Sequence, residues 1–158
     1  MKLTPHHKKL ATLAGKWSGP SKTWLDPDPS VPPDVGAMTA TATLVVEGQF
    51  LRIDYKSKVM GKPHQGSILW GFDPSANKPV ASWIDSFHSG ATIMDCRGDR
   101  EPKDGALSVL GHYGDGQGGL WGWRTELKAT PKKLTIRAFN IQPGEAEQPA
   151  TEWVLTRT

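Results

Sequence analysis

Cysteine and long hydrophobic runs are almost absent from this sequence. The 158 residues include one cysteine, Cys96, so no disulfide can form within the chain, which is typical of a protein from a reducing compartment. No stretch of about 18 apolar residues occurs, so we expect no membrane-spanning helix. Residues 1–17 contain no unbroken apolar segment before a small-residue cleavage site, which predicts a soluble cytoplasmic protein without a signal peptide.

A strong excess of one charge is also missing. The chain has 19 basic and 16 acidic residues, giving a net charge of +3. The densest basic segments, residues 6–9 and 132–133, are shorter than the basic runs of nucleic-acid-binding proteins. The charge pattern therefore predicts no nucleic-acid partner.

Recognisable metal-binding and phosphate-binding motifs are lacking as well. The histidines are His6, His7, His64, His88 and His112. No pair of them has the spacing of a zinc site, and Cys96 has no second cysteine to act with. The glycine-rich segment GDGQGG at residues 114–119 does not match a phosphate-binding loop. We therefore expect neither a metal nor a cofactor, and we interpret 114–119 as a hairpin loop.

Tryptophan is abundant, and the chain opens with one helical pattern. Seven tryptophans in 158 residues can fill a large interior or line a ligand site. A helix is predicted over about residues 4–14, because Thr4 is a good N-cap, Pro5 suits the first helical position and Gly15 ends the helix. Its apolar stripe, which includes Leu10, would pack on one end of the remaining chain.

The rest of the sequence alternates between short strands and tight turns. In residues 50–58, Leu51, Ile53 and Tyr55 occupy one face, and charged residues occupy the other. About ten strands at near-even spacing, from about residue 16 to 157, predict one all-β domain over residues 1–158. We expect an antiparallel up-and-down barrel with the helix as its lid. The predicted strands are residues 16–25, 38–46, 50–58, 66–72, 80–87, 91–97, 107–113, 120–127, 133–142 and 151–156.

Several short motifs follow one another in a familiar order. They are LAGKWSG at 13–19, EGQFL at 47–51, MGKP at 60–63, WGFDP at 70–74 and WIDS at 83–86. In this order, over nearly the whole chain, they resemble a bacterial family of uncharacterised domains, the DUF fifteen-seventy-nine family. The resemblance implies a lipocalin-like, calycin-type barrel of about ten strands with a helical lid, and it implies no activity.

The resemblance also extends to fatty-acid-binding proteins and to nitrobindin-type haem barrels. Nitrobindin-like barrels carry their haem histidine late in the chain, whereas no histidine follows His112 here, so the resemblance counts against haem. Arg52, Arg124 and Arg137 would correspond to the carboxylate-binding arginines of fatty-acid-binding proteins only if they faced inward. Their alternation with apolar neighbours predicts that they face water.

Asp85 is the most informative polar residue, because it shares a strand face with Trp83. If Trp83 points into the barrel, Asp85 does too, and a buried carboxylate must be hydrogen-bonded or paired. One interpretation is a polar group in an aromatic-lined cavity. The other is a strand-end aspartate that caps the turn at residues 88–90.

His112 has two possible orientations on its strand. If it faces inward with Leu110, it could lie near Asp85 and form an acid–base pair. If Leu107, Val109 and Tyr113 face inward instead, His112 points outward. Alternation alone does not choose between the two, because both faces carry apolar residues.

The function that this pattern favours is binding of a small apolar or aromatic molecule in the barrel lumen. One alternative is a barrel enzyme of isomerase, cyclase or hydrolase type that uses Asp85 or His112 as its acid–base group. Another is a barrel filled by tryptophans that acts as an interaction module or a homodimer. The predicted ligand-binding residues are Tyr55, Trp70, Trp83, Asp85, His112 and Trp123.

Overall fold

The chain forms a closed barrel of ten antiparallel strands preceded by one short helix. The computed structural model describes residues 3–101 and 104–158. Each strand pairs with its neighbours in the sequence, and β1 pairs with β10 to close the barrel, which confirms the predicted all-β fold. The elements are α1 (Pro5–Ala11), β1 (Gly15–Thr23), β2 (Asp34–Val45), β3 (Phe50–Val59), β4 (Lys62–Asp73), β5 (Lys78–Asp85), β6 (Met94–Arg97), β7 (Leu107–Gly114), β8 (Leu120–Ala129), β9 (Lys133–Ile141) and β10 (Gln148–Arg157).

Helix α1 covers one end of the barrel, which we call the helix end. Leu10 of the helix and Leu13 just after it are each only 2% exposed. His6 stacks on Phe72 near the end of β4, with ring centroids 3.9 Å apart. The Arg157 guanidinium, at the end of β10, donates to two carbonyls of the segment between α1 and β1. The opposite end, where β5 ends and β4 begins, is called the far end.

The element boundaries differ from the sequence prediction where turns are tighter than expected. Helix α1 stops at Ala11 because the amides of residues 12–14 each bond to the carbonyl three residues earlier, which closes the last turn. Strand β4 begins earlier than predicted, at Lys62. It can do so because Met60 and Gly61 form a two-residue hairpin turn with φ of +49° and +72°. Within the described part of the chain, no helix is long and apolar enough to cross a membrane.

The interior of the barrel is divided by polarity. The helix-end half is apolar, and its most deeply buried side chains include Trp17, Leu51, Trp70, Leu134 and Leu155. The far-end half carries buried polar side chains, namely Ser21, Thr23, Ser57, His64, Asp85 and Thr151. Burying a polar group costs free energy unless it finds a hydrogen-bond partner. The far end is therefore where a functional site is expected.

Candidate functional site

Asp85 lies at the centre of the far end, as the last residue of β5. Its Oδ2 accepts a hydrogen bond from the Tyr55 hydroxyl and lies 2.6 Å from His64 Nε2. Its Oδ1 accepts the backbone amides of Phe87, at 2.6 Å, and of His88. The carboxylate therefore faces the interior and caps the turn that follows it. The turn-capping interpretation of Asp85 describes its Oδ1, and its role as a polar group in a ligand cavity stays a prediction.

Four residues make up this group, which we call the Asp85 cluster: Tyr55, His64, Asp85 and His88. His88 Nδ1 lies 3.4 Å from Asp85 Oδ1. The side chains of Asp85 and His64 are 0% and 3% exposed, whereas that of His88 is 13% exposed. The cluster is therefore buried, and His88 is its most solvent-accessible member.

Gly66 makes the contact between Tyr55 and Asp85 possible. It lies on β4 between them, opposite Tyr55 of β3 on one side and Asp85 of β5 on the other. A Cβ at Gly66 would lie 2.6 Å from Tyr55 Cζ, which is closer than Cβ atoms approach in real structures. Because glycine has no side chain, the phenol can cross β4 and reach the carboxylate.

Aromatic rings line the interior beside the cluster. Trp83 Nε1 donates to the Tyr55 hydroxyl at 2.7 Å. The rings of Trp83 and Trp123 are 5.3 Å apart, and Trp123 lies 5.0 Å from the His88 ring. Trp153 of β10 packs 5.9 Å from Trp83. We call Trp83, Trp123 and Trp153 the aromatic wall.

Burial and hydrogen bonding set the charge states of the cluster. Burial raises the pKa of Asp85, but the hydrogen bond from His64, the adjacent His88 side chain and the hydrogen bond from Tyr55 outweigh it and hold that pKa well below the usual range. Burial, together with the negative charge of Asp85, raises the pKa of Tyr55 far above its usual range. Asp85 is therefore an acceptor near neutral pH, and Tyr55 is a neutral donor. The proton between His64 and Asp85 lies on His64 Nε2, because an ionised carboxylate can only accept.

Several buried polar atoms around the cluster have no hydrogen-bond partner among the described residues. They are Ser57 Oγ, His64 Nδ1, His88 Nδ1 and Trp123 Nε1. Most buried polar groups in folded proteins are paired with protein atoms, water or a ligand. These four atoms mark the far end as a place where a further molecule or ion can supply the missing partners.

The structure also assembles a set of possible metal ligands that the sequence spacing did not reveal. One ligand atom from each of His64, Asp85 and His88 lies within 4.8 Å of the others. His64 comes from β4 and the other two come from the end of β5, so the set forms only when these strands pair. The expectation of no metal rested on the spacing of histidines along the chain, and such spacing cannot reveal ligands that come together only through strand pairing.

A groove of about 660 Å³ crosses the outer face of strands β2 to β5 behind the cluster. Polar side chains such as Thr41, Lys56 and Gln65 line it, and Gly66 is part of its floor. Tyr55 and Asp85 also reach this floor. Only the backbone around Gly66 separates the groove from the cluster.

Four of the predicted site residues do come together at the far end. Tyr55, Trp83, Asp85 and Trp123 form one connected group. Trp70 is buried, but it pairs with Leu51 and Ala81 in the apolar half and does not join the cluster.

The inward orientation of His112 is wrong. His112 is exposed on the outer face of β7, and its neighbour Gly111 is buried. A Cβ at Gly111 would lie 2.6 Å from Cys96 Sγ, so this residue is the inward one and His112 must point out. The alternative orientation, with Leu107 and Val109 inside, is confirmed.

The sequence analysis also missed functional candidates. His64, His88 and Trp153 were not among the predicted site residues, although the two histidines belong to the cluster and Trp153 packs against Tyr55. His64 lies an even number of residues before Ile68 and Trp70 and so shares the inward face of β4 with them. This spacing could have identified His64 from the sequence. The outward orientation of Arg52 and Arg137 is confirmed, because both are exposed.

Comparison with known proteins decides the family. Residues 2–157 match the family described as Protein of unknown function (DUF1579). The chain belongs to this family. Compared by sequence with the curated proteins, it has no match.

Two solved structures show the same fold. The crystal structure of Rv2717c from M. tuberculosis has a TM-score of 0.66 and 15% identity, with 99% of each chain covered. The S-type phycobiliprotein lyase CPES from Guillardia theta has a TM-score of 0.56 and 11% identity, with 98% of this chain and 93% of that chain covered. At such identities the likeness concerns the fold alone.

Proposed function

We propose that this protein binds a small aromatic molecule with a polar group at the far end of its barrel. The Asp85 cluster would bind the polar group, and the aromatic wall would contact the ring. The observation that carries this proposal is the set of buried polar atoms without partners beside Trp83 and Trp123.

The energetics favour binding over a barrel that is merely filled. A buried polar atom without a partner costs roughly 1–3 kcal/mol. The helix-end half of the interior is filled mainly by apolar side chains such as Leu51, Leu134 and Leu155 and carries fewer such atoms, Trp70 Nε1 among them. If the far end served only to support the fold, apolar side chains in place of its unpaired polar ones would make the protein more stable. A ligand that pairs His88 Nδ1 and Trp123 Nε1 accounts for the polar lining.

The fold likeness supports the proposal only in general terms. A barrel of the same architecture belongs to a protein named a phycobiliprotein lyase, so this architecture is compatible with a functional site. The chemistry proposed here depends on the residues of the far end.

Native mass spectrometry tests the proposal directly. The protein is purified from its own host and weighed under native and denaturing conditions. We expect a mass difference that identifies a retained molecule. Trp123→Leu should lose it, because the indole ring and its unpaired Nε1 both face the site. His112→Ala, on the outer face, is the matched control and should keep it.

The contrary result is also informative. A folded protein without any bound molecule contradicts a retained ligand. A bound molecule that survives in Trp123→Leu but disappears in His112→Ala would place binding outside the barrel. Far-UV circular dichroism of both variants shows whether the barrel is intact.

A second candidate is acid–base catalysis in which His64 is the base. Asp85 accepts the Nε2 proton of His64 and so leaves Nδ1, which has no partner, as the free basic nitrogen. Asp85 itself is unsuited as a proton donor, because its pKa is held low. Nitrogen-15 NMR of the histidine rings tests this. An unprotonated Nδ1 on His64 is expected, and a proton found there would contradict the assignment.

A further inference from the structure

We propose that His64, Asp85 and His88 bind a divalent transition-metal ion such as Zn²⁺. His64 Nε2 lies 2.6 Å from Asp85 Oδ2, and His88 Nδ1 lies 3.4 Å from Asp85 Oδ1. Two imidazoles and one carboxylate form a ligand set that zinc and related metals accept, at about 2.0–2.2 Å from each donor atom. Two donors bound to one ion at the tetrahedral angle are about 3.4 Å apart, so His64 Nε2 and Asp85 Oδ2 would separate by about 0.8 Å to admit the ion. The proton on His64 Nε2 would move to Nδ1, which leaves Nε2 free to bind the metal.

The turn after β5 holds two of the three ligands in place. Oδ1 of Asp85 accepts the amides of Phe87 and His88. The Asp85 amide donates to Ser89 Oγ at 2.7 Å. Asp85 and His88 are therefore fixed on one rigid turn, and binding requires no rearrangement of the backbone.

The third ligand is positioned by strand pairing. His64 lies on β4 two residues before Gly66, and Gly66 is opposite Asp85 in the register. The imidazole therefore meets the carboxylate at the point where Gly66 provides no side chain of its own. The Tyr55 hydroxyl donates a hydrogen bond to Asp85 Oδ2, the oxygen that also lies beside His64. Such an outer hydrogen bond commonly orients a carboxylate that binds a metal.

His88 explains why an ion fits this cluster better than a hydrogen-bond network does. Its Nδ1 is buried beside Asp85, yet it makes no hydrogen bond. A metal ion would satisfy this nitrogen and the carboxylate together. The 13% exposure of the His88 side chain also provides a route from solvent into a site whose other members are almost completely buried.

The ligand types indicate the class of metal. Ca²⁺ and Mg²⁺ prefer shells made only of oxygen, and Cu⁺ prefers thiolate or thioether sulfur. Two nitrogens and a carboxylate instead suit Zn²⁺, Co²⁺, Ni²⁺ or Fe²⁺. Three protein ligands leave at least one position for water or a bound molecule. This inference goes beyond the proposed ligand binding and does not depend on it.

Cobalt binding is the test. The full-length protein is stripped with a chelator, dialysed and titrated with Co²⁺, and the visible d–d absorption is followed. We expect one Co²⁺ per chain, displaced by Zn²⁺. His64→Ala and His88→Ala should each weaken binding by at least about 100-fold, the upper range for loss of a supporting outer residue. His112→Ala, a histidine on the outer face, should bind as the wild type does.

Three outcomes would overturn the metal site. They are no uptake by the wild type, uptake that survives in both His64→Ala and His88→Ala, and uptake that is lost in His112→Ala. Binding by the adjacent His6 and His7 would produce the second outcome. His88→Gln is a further variant if His88→Ala does not fold. Native mass spectrometry of the stripped protein reports the organic molecule separately, so the two proposals can fail independently.

Discussion

At the scale of single residues, Asp85 serves the turn and the interior with the same carboxylate. Oδ1 satisfies the backbone amides after β5, and Oδ2 satisfies Tyr55 and His64. A neutral side chain in place of Asp85 would therefore lose hydrogen bonds both in the turn and in the interior. An asparagine would present an NH₂ group where an acceptor oxygen is needed.

We expect Asp85→Asn to lower the free energy of unfolding by about 2–4 kcal/mol, because buried donors lose a charged acceptor. Urea denaturation measures the change. Asp54→Asn is the control, since Asp54 is 46% exposed and pairs with Arg52 on the outer face. The control should change stability by less than about 0.5 kcal/mol. Equal stabilities of the two variants would show that Asp85 is not structurally important.

Gly66 is the second critical residue, because it provides the gap through which Tyr55 passes. Gly66→Ala should displace the phenol and break its hydrogen bond to Asp85. Overpacking of this kind destabilises by roughly 1–3 kcal/mol. The fluorescence of Trp83 should also change, since its Nε1 loses the Tyr55 hydroxyl. Thermal unfolding and tryptophan emission report the two effects, with Gln65→Ala on the exposed face as the control.

At the scale of elements, α1 is too short to be stable on its own, so it must be held by the barrel. Arg157 provides the attachment. Its guanidinium donates to Thr12 O, Ala14 O and Pro131 O, and it lies over the Trp17 ring at 4.3 Å. The last strand therefore fixes the first helix.

Arg157→Ala should loosen the helix end. We expect a loss of about 2 kcal/mol, from charge-assisted hydrogen bonds to carbonyls and one cation–π contact. Trp17 is 1% exposed, so its emission should shift to the red as water enters. Arg97→Ala, which removes a 66% exposed arginine paired with Asp95, should leave both properties unchanged. An unshifted spectrum in Arg157→Ala would mean that α1 stays attached without it.

Strand faces could be predicted only where one face is clearly polar. In β3, apolar and charged residues alternate, and Leu51, Ile53 and Tyr55 face inward as expected. In β7, both faces carry apolar residues, so alternation left the orientation of His112 open. Close packing of Gly111 against Cys96 decides it, and that contact forms only when β6 and β7 lie side by side.

At the scale of the whole molecule, the barrel has one weakly paired side. Strand β6 spans only Met94–Arg97, and within the described residues its register with β7 is a single pair, Arg97 opposite Leu110. The adjacent junctions are longer, with four residue pairs between β5 and β6 and eight between β7 and β8. Few ladder hydrogen bonds predict low local stability.

Hydrogen exchange followed by mass spectrometry tests this. The amides of β6 should exchange at least about tenfold faster than those of β9, because local opening there breaks fewer hydrogen bonds. Peptides from β3 provide an internal control for a strand that is well paired on both sides. Uniform protection around the barrel would contradict a weak junction at β6.

The number and order of the strands, the closed antiparallel barrel and the helix that covers one end could all be predicted from the sequence. These features follow from local patterns, namely period-two alternation, turn residues and a helix cap, which act over a few residues. Four site residues could also be predicted, because alternation along their strands places them on the inward face: Tyr55, Trp83, Asp85 and Trp123. The contacts of His64 and His88 with Asp85, and the outward orientation of His112, are visible only in the folded barrel. Residues distant in sequence become neighbours through strand register and through the space left at Gly66 and Gly111, and no local pattern encodes those contacts.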